Sequence, residues 1–199
     1  MLFRSYLKDL LDKETEYVTL AQLLLLNQNP YQAAKVLEAG RVKKVIKVNE
    51  ETKEELLVVV VKDSEKNLRL LADAWRMAQE IDRAIPILER AAKMSKDGKN
   101  YVLLGNLYLA EDNLELAIDS IKKGLEKGKV SKVSQVYLTL GQAYFELQMF
   151  NDAKKQFGKA SRDKDKQVIA TANNWIRYTE REEERVKNLE LRREFIKNS

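Results

Sequence analysis

The side chains of this chain that could do acid–base or metal chemistry are carboxylates, because the sequence contains no histidine and no cysteine. Three consecutive acids stand at Glu182, Glu183 and Glu184, within a run of mixed charges that is typical of a solvated helix face. Another acidic pair, Asp163 and Asp165, has the spacing of a turn. Three further aspartates could suggest a metal site, but their spacing matches turns and helix caps. These are Asp112, Asp119 and Asp152.

The sequence contains few of the residues and motifs that enzymes commonly use for catalysis. Histidine is the commonest general base, and histidine and cysteine are frequent metal ligands. The phosphate-binding patterns G-x-x-x-x-G-K-[ST] and G-x-G-x-x-G do not occur. We therefore predict that the chain is not an enzyme, and that it has no catalytic residue, no cofactor and no metal site.

The composition is that of a folded, helix-rich protein. Apolar residues make up 44% and charged residues 34% of the chain, which argues against disorder and against a membrane protein. Glycine and proline occur 7 and 2 times, so elaborate loops are not expected. The net charge is +5, but the 36 basic and 31 acidic residues are interspersed. We therefore expect neither a nucleic-acid partner nor membrane insertion.

A repeated sequence template predicts the helices that would position a binding site. In four places a leucine is followed directly by alanine or glycine, and an alanine stands thirteen residues after the leucine. The leucines are Leu20, Leu71, Leu104 and Leu140, and the alanines are Ala33, Ala84, Ala117 and Ala153. Successive copies are offset by 51, 33 and 36 residues. Periods near 34 residues with small residues at fixed positions indicate a helical solenoid.

Each copy is predicted to be a pair of antiparallel helices, which we call helix A and helix B. Positions four, seven, eight and eleven form one apolar stripe on helix A, and positions twenty, twenty-four and twenty-seven form another on helix B. Small residues at positions eight and twenty let the two backbones approach closely. Large residues such as Tyr108 and Tyr144, at position eleven, fill the space beside that contact.

This pattern resembles the tetratricopeptide repeat (TPR) family, most clearly in YVLLGNLYLAEDNLELAIDSIKKGL (101–125) and YLTLGQAYFELQMFNDAKKQFGKA (137–160). The resemblance implies an all-α fold, a right-handed superhelical solenoid of antiparallel helix pairs with a long C-terminal capping helix. The predicted divisions are the end of a preceding helix (1–13), repeat 1 (14–47), an insertion (48–64), repeat 2 (65–97), repeat 3 (98–131), repeat 4 (134–167) and the capping helix (168–199).

A narrower resemblance rests on YQAAKVLEAG, KNLRLLADAWRMAQEIDRAIPILERAAK and WIRYTEREEERVKNLELRREF. These stretches are similar to the C-terminal half of a proteobacterial TPR protein that is associated with the TonB system. The resemblance implies a periplasmic location, and otherwise we expect a cytoplasmic protein. The first residues of the chain lack the continuous apolar centre of a secretory signal. We expect the chain to be a fragment, or the mature part of a longer protein.

The TPR resemblance also implies where a partner would bind. In that family, positions two, five, nine and twelve of helix A face the concave groove. The implied partner-binding residues here are Lys66, Arg69, Asp73, Arg76, Asn106, Leu109, Leu138, Gln142 and Phe145. Asn106 and Arg69 resemble part of a clamp for a terminal carboxylate, but Asp73 stands where such a clamp would need asparagine. A mixed groove for an extended or helical partner segment is the better interpretation.

Two segments fall outside the template. Residues 48–64 contain the valine-rich run Leu56–Val61 and are predicted to form either a β-hairpin or an extension of a helix. An exposed valine-rich strand promotes association, so we expect it to be covered, for example by a second chain. Residues 165–197 are predicted to form one long helix, with Val168, Ala172 and Trp175 in an apolar stripe that is interrupted at Glu182 and Arg193.

The sequence as a whole predicts a non-catalytic scaffold that binds another protein or peptide in a concave TPR groove. The narrower resemblance places this scaffold in a TonB-type envelope transport system. One alternative is a helical-repeat RNA-binding protein, which the net positive charge suggests. A further alternative is a self-assembling structural component, with a homodimer formed through the valine-rich insertion or the C-terminal helix.

Overall fold

The computed structural model describes residues 2–48, 53 and 55–198 of the chain. Within these residues the fold is mostly helical, with one small antiparallel hairpin of two strands. The elements are α1 (Leu2–Leu7), α2 (Glu14–Leu26), α3 (Pro30–Val42), β1 (Lys44–Val48), β2 (Glu55–Val59), α4 (Glu65–Met77), α5 (Ile81–Met94), α6 (Lys99–Ala110), α7 (Leu114–Lys127), α8 (Val133–Glu146), α9 (Phe150–Ala160) and α10 (Lys166–Lys197).

The chain divides into two compact units, Met1–Lys96 and Asp97–Ser199. In the first unit α2 packs on α3, α3 on α4 and α4 on α5. In the second unit α6 packs on α7, α7 on α8, α8 on α9 and α9 on α10. Among the residues that the structure describes, no helix has the length and apolar character that crossing a membrane requires.

Four helix pairs share one type of turn. Each turn has three residues, and its second residue is a non-glycine with a left-handed backbone, with φ between 55° and 62°. The N–H of the third turn residue donates to the carbonyl five residues earlier, at 2.8–3.0 Å. The left-handed residues are Gln28, Gln79, Asp112 and Gln148. These hydrogen bonds satisfy carbonyls that the end of helix A leaves unpaired, and they reverse the chain into helix B.

Close contact between the two helices of a pair depends on the small residues, alanine and glycine, that the template predicts. All four template alanines of helix B are fully buried. A Cβ atom at Gly141 would lie 2.5 Å from Cε1 of Phe157 in the facing helix. At Gly105 a Cβ atom would overlap the Ile121 side chain, and at Gly98 it would overlap the backbone of Gly124. The prediction of tightly packed helix pairs is therefore confirmed in the second unit.

The insertion forms a hairpin, which decides between the two alternatives that the sequence left open. Strand β1 pairs with β2 so that Ile46 lies opposite Leu57, and both side chains are 64% exposed. Val45, on the other face, packs against the core of the first unit. Strand β1 begins at Lys44, so the non-helical segment starts earlier than the predicted boundary at residue 48. Part of the predicted insertion, residues 49–52 and 54, lies outside the described residues.

The helix predicted over residues 165–197 is present as α10, which contains 32 residues. Each of the four predicted repeats contains one helix pair, but the repeat boundaries themselves stay a prediction. The segment 1–13, expected to end a preceding helix, contains the six-residue helix α1. The predicted helical fold class is confirmed. In addition, strands β1 and β2 form a hairpin, because valine favours a strand over a helix.

Asp63 connects two helices of the first unit after the hairpin. Its carboxylate accepts a hydrogen bond of 2.6 Å from Nε of Arg41 in α3 and another from Arg90 in α5. The hydrogen bond from Arg41, reinforced by that from Arg90, holds the pKa of Asp63 below its ordinary value. The carboxylate therefore stabilises the fold while it is ionised.

Two glycines provide a matched test of the packing argument. We expect Gly98→Ala to lower the free energy of unfolding by about 1–3 kcal/mol, because the new methyl group would overlap the Gly124 backbone. Gly158→Ala, where a Cβ atom would meet open space, should raise it by about 0.4–1 kcal/mol. Urea unfolding followed by circular dichroism measures both. If both variants changed the free energy of unfolding equally, the close contact of Gly98 with Gly124 would be contradicted.

Replacing Asp63 should have an effect that depends on pH. Because the pKa of Asp63 is lowered from the ordinary 3.8, its contribution is fully present above that pH and is lost as pH falls through the folded-state pKa. We expect Asp63→Asn to melt at a lower temperature than the wild type at pH 7. The difference should shrink below pH 3.8. A difference that stays constant throughout the acid range would argue against the ion pairs.

Candidate functional site

The predicted binding residues of α4 lie on the side of that helix that faces solvent. The opposite side is fixed in the core of the first unit by five apolar residues, namely Leu68, Leu71, Ala72, Ala74 and Trp75, each 1% exposed or less. Helix periodicity then directs Lys66, Arg69, Asp73 and Arg76 outward. Lys66 is exposed, and the other three are partly exposed. The structure thus brings these four predicted residues together on one surface.

Asp73 organises the charges of this surface. Its Oδ2 accepts a hydrogen bond of 2.8 Å from Nε of Arg69, one turn earlier in the helix. Its Oδ1 lies 3.6 Å from Nε of Arg76, one turn later. With Lys66 the surface has three cations and one carboxylate, so it is positive overall. We call these four residues the α4 face. Such a face can bind carboxylates or other acidic groups.

The predicted residues of the second unit are uncharged and lie on α6 and α8. Asn106 on α6 and Gln142 on α8 are exposed, and each amide can both donate and accept hydrogen bonds. Leu109 and Phe145, near the ends of the same two helices, are partly buried. We call Asn106 and Gln142 the amide pair. Side chains of this kind can bind the backbone of an extended polypeptide.

Leu138 differs from the other members of the predicted set. Its side chain is only 6% exposed and belongs to the hydrophobic core of the second unit, together with Val168 and Ala172 of α10. The TPR resemblance assigns this position to the groove, but contacts within the chain already bury its side chain. Leu138 supports the fold, and it does not offer a contact surface to a partner.

Phe145 also uses much of its surface for contacts within the chain. Its ring centroid lies 5.7 Å from that of Phe150, 5.7 Å from that of Trp175 and 5.2 Å from that of Tyr178. Trp175 in turn stacks on Phe157 at 5.4 Å. Sequence reasoning missed this aromatic cluster, although Trp175 belongs to the predicted apolar stripe. Tyr178 lies three residues after Trp175, which is the available signal.

The aspartates that could suggest a metal site have other places in the part of the chain that the structure describes. No group of three or more acidic residues there is arranged to hold a metal ion. Asp112 stands in a left-handed turn, Asp152 in the first turn of α9, and Asp119 pairs with Lys123 at 2.6 Å. Asp165 caps α10 by accepting a hydrogen bond from the Gln167 N–H.

Comparison with known families identifies the repeats. A model of the tetratricopeptide repeat matches residues 98–126 and 134–162, which contain the pairs α6–α7 and α8–α9. The chain therefore contains tetratricopeptide repeats in its second unit. The comparison with curated proteins gave no match.

Solved TPR structures share the fold at low sequence identity. A crystal structure of MamA has a TM-score of 0.60 at 22% identity, covering 79% of this chain and 82% of that one. YrrB, described as a TPR protein with an unusual peptide-binding site, has a TM-score of 0.62 at 13% identity, covering 89% and 84%. The first TPR of Spaghetti, bound to an HSP90 peptide, has a TM-score of 0.50 at 15% identity, covering 59% and 91%.

These likenesses confirm the TPR-like helical fold that the sequence predicted. They give no support to the narrower resemblance to a TonB-associated protein. A periplasmic location accordingly stays a prediction.

The position of Phe145 in the aromatic cluster predicts a structural effect. We expect Phe145→Ala to lower the free energy of unfolding by about 2–3 kcal/mol, somewhat less than for a fully buried phenylalanine. It should also shift the fluorescence of Trp175, since Trp75 is fully buried elsewhere. Gln142→Ala, one turn earlier and exposed, is the control and should change neither quantity. A variant with unchanged stability and unchanged fluorescence would contradict the structural role of Phe145 in the aromatic cluster.

Proposed function

We propose that the chain is a non-catalytic scaffold that binds a partner polypeptide through the helix-A faces of its repeats. An acidic segment of the partner contacts the α4 face, and an uncharged segment contacts the amide pair. The observation that carries the proposal is the arrangement of Arg69 and Arg76 around Asp73, with Lys66 beside them. Lys66 is exposed and the other three side chains are partly exposed, on a helix whose opposite side is buried in the core.

The chemistry of the α4 face favours a carboxylate-rich ligand. Arginine side chains form charge-assisted hydrogen bonds with carboxylates, often through two N–H groups at once. Asp73 accepts a hydrogen bond from Arg69, so the conformational entropy of the Arg69 side chain is partly lost before a ligand binds. Asp73 also competes with the ligand for the arginines. The α4 face is therefore expected to bind acidic segments with moderate affinity and fast exchange.

Two of the similar structures support peptide binding as the mode of action. YrrB is described as having a peptide-binding site, and the Spaghetti TPR is bound to an HSP90 peptide. Repeats of this kind present extended surfaces to other polypeptides. A place in a TonB-type envelope transport system is a proposal that rests on the narrower sequence resemblance alone. RNA binding is less favoured, because a carboxylate stands at the centre of the basic α4 face.

Site-specific cross-linking tests the proposal while the partner is still unidentified. A photoreactive p-benzoyl-phenylalanine is introduced at position 69, at position 142 or, as a control, at position 93 on exposed Lys93 of α5. After irradiation in the native cells, cross-linked proteins are identified by mass spectrometry. We expect one partner to be captured from positions 69 and 142 but not from 93. Capture of the same proteins from all three positions would contradict a defined surface.

Peptides of the captured partner then measure the role of charge. Arg69→Ala/Arg76→Ala should weaken the binding of an acidic peptide about tenfold or more, as expected for lost hydrogen bonds between charged groups. Asp73→Asn should strengthen it, because the competing carboxylate is removed. Lys93→Ala/Lys96→Ala removes the same charge elsewhere and should leave the Kd unchanged. Equal weakening by both double variants would indicate non-specific attraction. Tight, steeply salt-dependent binding of labelled RNA would favour the alternative function.

A further inference from the structure

Helix α10 carries a second regular stripe of residues besides the one that packs on α9. Eight residues follow one another at alternating steps of four and three, which is the spacing of a coiled-coil seam. They are Thr171, Trp175, Tyr178, Glu182, Arg185, Leu189, Arg192 and Ile196. We call them the outer seam. At this spacing they stay on one side of the helix over about 38 Å, given a rise of about 1.5 Å per residue.

Most of the outer seam lies beside the side of α10 that the chain itself buries, and Trp175 belongs to both. Val168, Ala172 and Thr179 are 7%, 0% and 0% exposed and pack toward the core of the second unit. Glu183 continues that side and pairs with Lys154 of α9 at 2.6 Å. Along the outer seam the exposure is far higher: Tyr178 is 51% exposed, Leu189 37% and Ile196 75%. Exposed apolar and aromatic side chains that recur along one helix face are a candidate contact surface.

The first half of the outer seam contains a concave site. Thr171, Asn174, Trp175 and Tyr178 line a groove of ≈ 330 Å³ next to the aromatic cluster. Trp175 is fixed by stacking on Phe157, and Tyr178 by its contact with Phe145. Rigid aromatic side chains that keep part of their surface exposed are typical anchors of protein interfaces. The second half of the outer seam provides aliphatic side chains of a size that such a groove can hold.

The two halves of the outer seam are complementary under a twofold rotation. If the axis passes between residues 183 and 184, each member faces another member of the same seam. Tyr178 then faces Leu189, and Thr171 faces Ile196. Trp175 faces Arg192, a pair that can form a cation–π contact. At the centre, Glu182 of each copy faces Arg185 of the other.

We propose that the outer seam of α10 binds the outer seam of a second copy of this chain, with the two helices antiparallel. Within one chain Glu182 already accepts a hydrogen bond of 2.8 Å from Nε of Arg185. In the pair of copies these two residues and their symmetry mates form a ring of four alternating charges. Glu182 and Arg185 therefore set the register of the two helices.

Charge complementarity selects this arrangement over a parallel one. In a parallel pair, Glu182 would face Glu182 of the second copy, and Arg185 and Arg192 would likewise face their own kind. In the antiparallel pair the seam contains no facing residues of like charge. The flanking positions agree, because exposed Arg181 lies near the uncharged Asn188 of the second copy. Repulsion between like charges in a seam disfavours the wrong orientation of the two helices.

This inference does not depend on the proposed function, because it concerns a different surface. The α4 face belongs to the first unit, and the outer seam belongs to the second. The exposed hairpin residues Ile46 and Leu57 offer another route to association, and the experiment separates the two routes.

Reciprocal charge reversal tests the proposal on the full chain. Sedimentation equilibrium should show a concentration-dependent dimer for the wild type. Glu182→Arg alone, or Arg185→Glu alone, should raise the dimer Kd about tenfold or more, since each creates two contacts between like charges. An equimolar mixture of the two variants should recover the dimer, because opposite charges face each other again between chains. The pairing within each chain stays broken, so recovery reports the contact between copies.

Matched controls carry the same charge changes on another side of α10. Glu184→Arg and Lys187→Glu replace exposed residues outside the outer seam and should leave the dimer intact. Circular dichroism confirms that each variant is folded. A wild type that stays monomeric up to about 100 µM, well above the Kd of specific stable complexes, would overturn the proposal. Folded single variants that dimerise like the wild type would also overturn it and would leave the hairpin as the route to association. A mixture without recovery would contradict the pairing of Glu182 with Arg185 between copies.

Cysteine cross-linking fixes the orientation, because the natural sequence contains no cysteine. A mixture of Tyr178→Cys and Leu189→Cys chains should form a disulfide between the two variants under mild oxidation. Leu189→Cys alone should not cross-link efficiently. The opposite result, an efficient disulfide between two Leu189→Cys chains, would indicate a parallel pair and overturn the antiparallel arrangement.

Discussion

The close approach of two helix backbones is the contact on which the rest of this structure depends. Gly141 can lie against the Phe157 ring, and Gly105 against Ile121, only because neither glycine carries a Cβ atom. The same contact fixes which side of each helix A is buried. It therefore also fixes which residues point to solvent, since the two sets are related by helix periodicity. The exposed residues of the α4 face therefore follow from the packing and need no separate folding element.

The packed pairs were predictable because their signal is local and repeated. Small residues at fixed intervals have a single structural meaning when four copies agree. The turns were not predictable in the same detail, because Gln28, Gln79 and Gln148 have no intrinsic preference for a left-handed backbone. Their conformation is imposed by the two helices that they join. The hairpin was ambiguous for a related reason, since acidic residues that favour a helix precede the valines that favour a strand.

The structure groups the predicted partner-binding residues to different degrees on the two units. On α4 the contacts of Asp73 with Arg69 and Arg76 are three or four residues apart in sequence, so periodicity alone groups them. Leu138 and Phe145 have contacts with residues far along the chain, on α10, and their burial could not be read from the repeat. The link from Arg41 to Asp63 spans 22 residues and was missed for the same reason. Local patterns thus predicted surfaces, whereas distant contacts decided which members of a surface are available.

Carboxylates with arginine neighbours recur at three places with different consequences. Asp63 accepts from two arginines of different helices and stabilises the first unit. Asp73 accepts a hydrogen bond from Arg69 and lies near Arg76 of the same helix, and the surface stays positive. Glu182 pairs with Arg185 on a helix face whose remaining members are largely apolar or aromatic. If two copies associate through that face, the assembly carries two α4 faces. A partner with two acidic segments would then bind with an effective concentration set by the distance between those segments, so that weak single contacts suffice for stable binding.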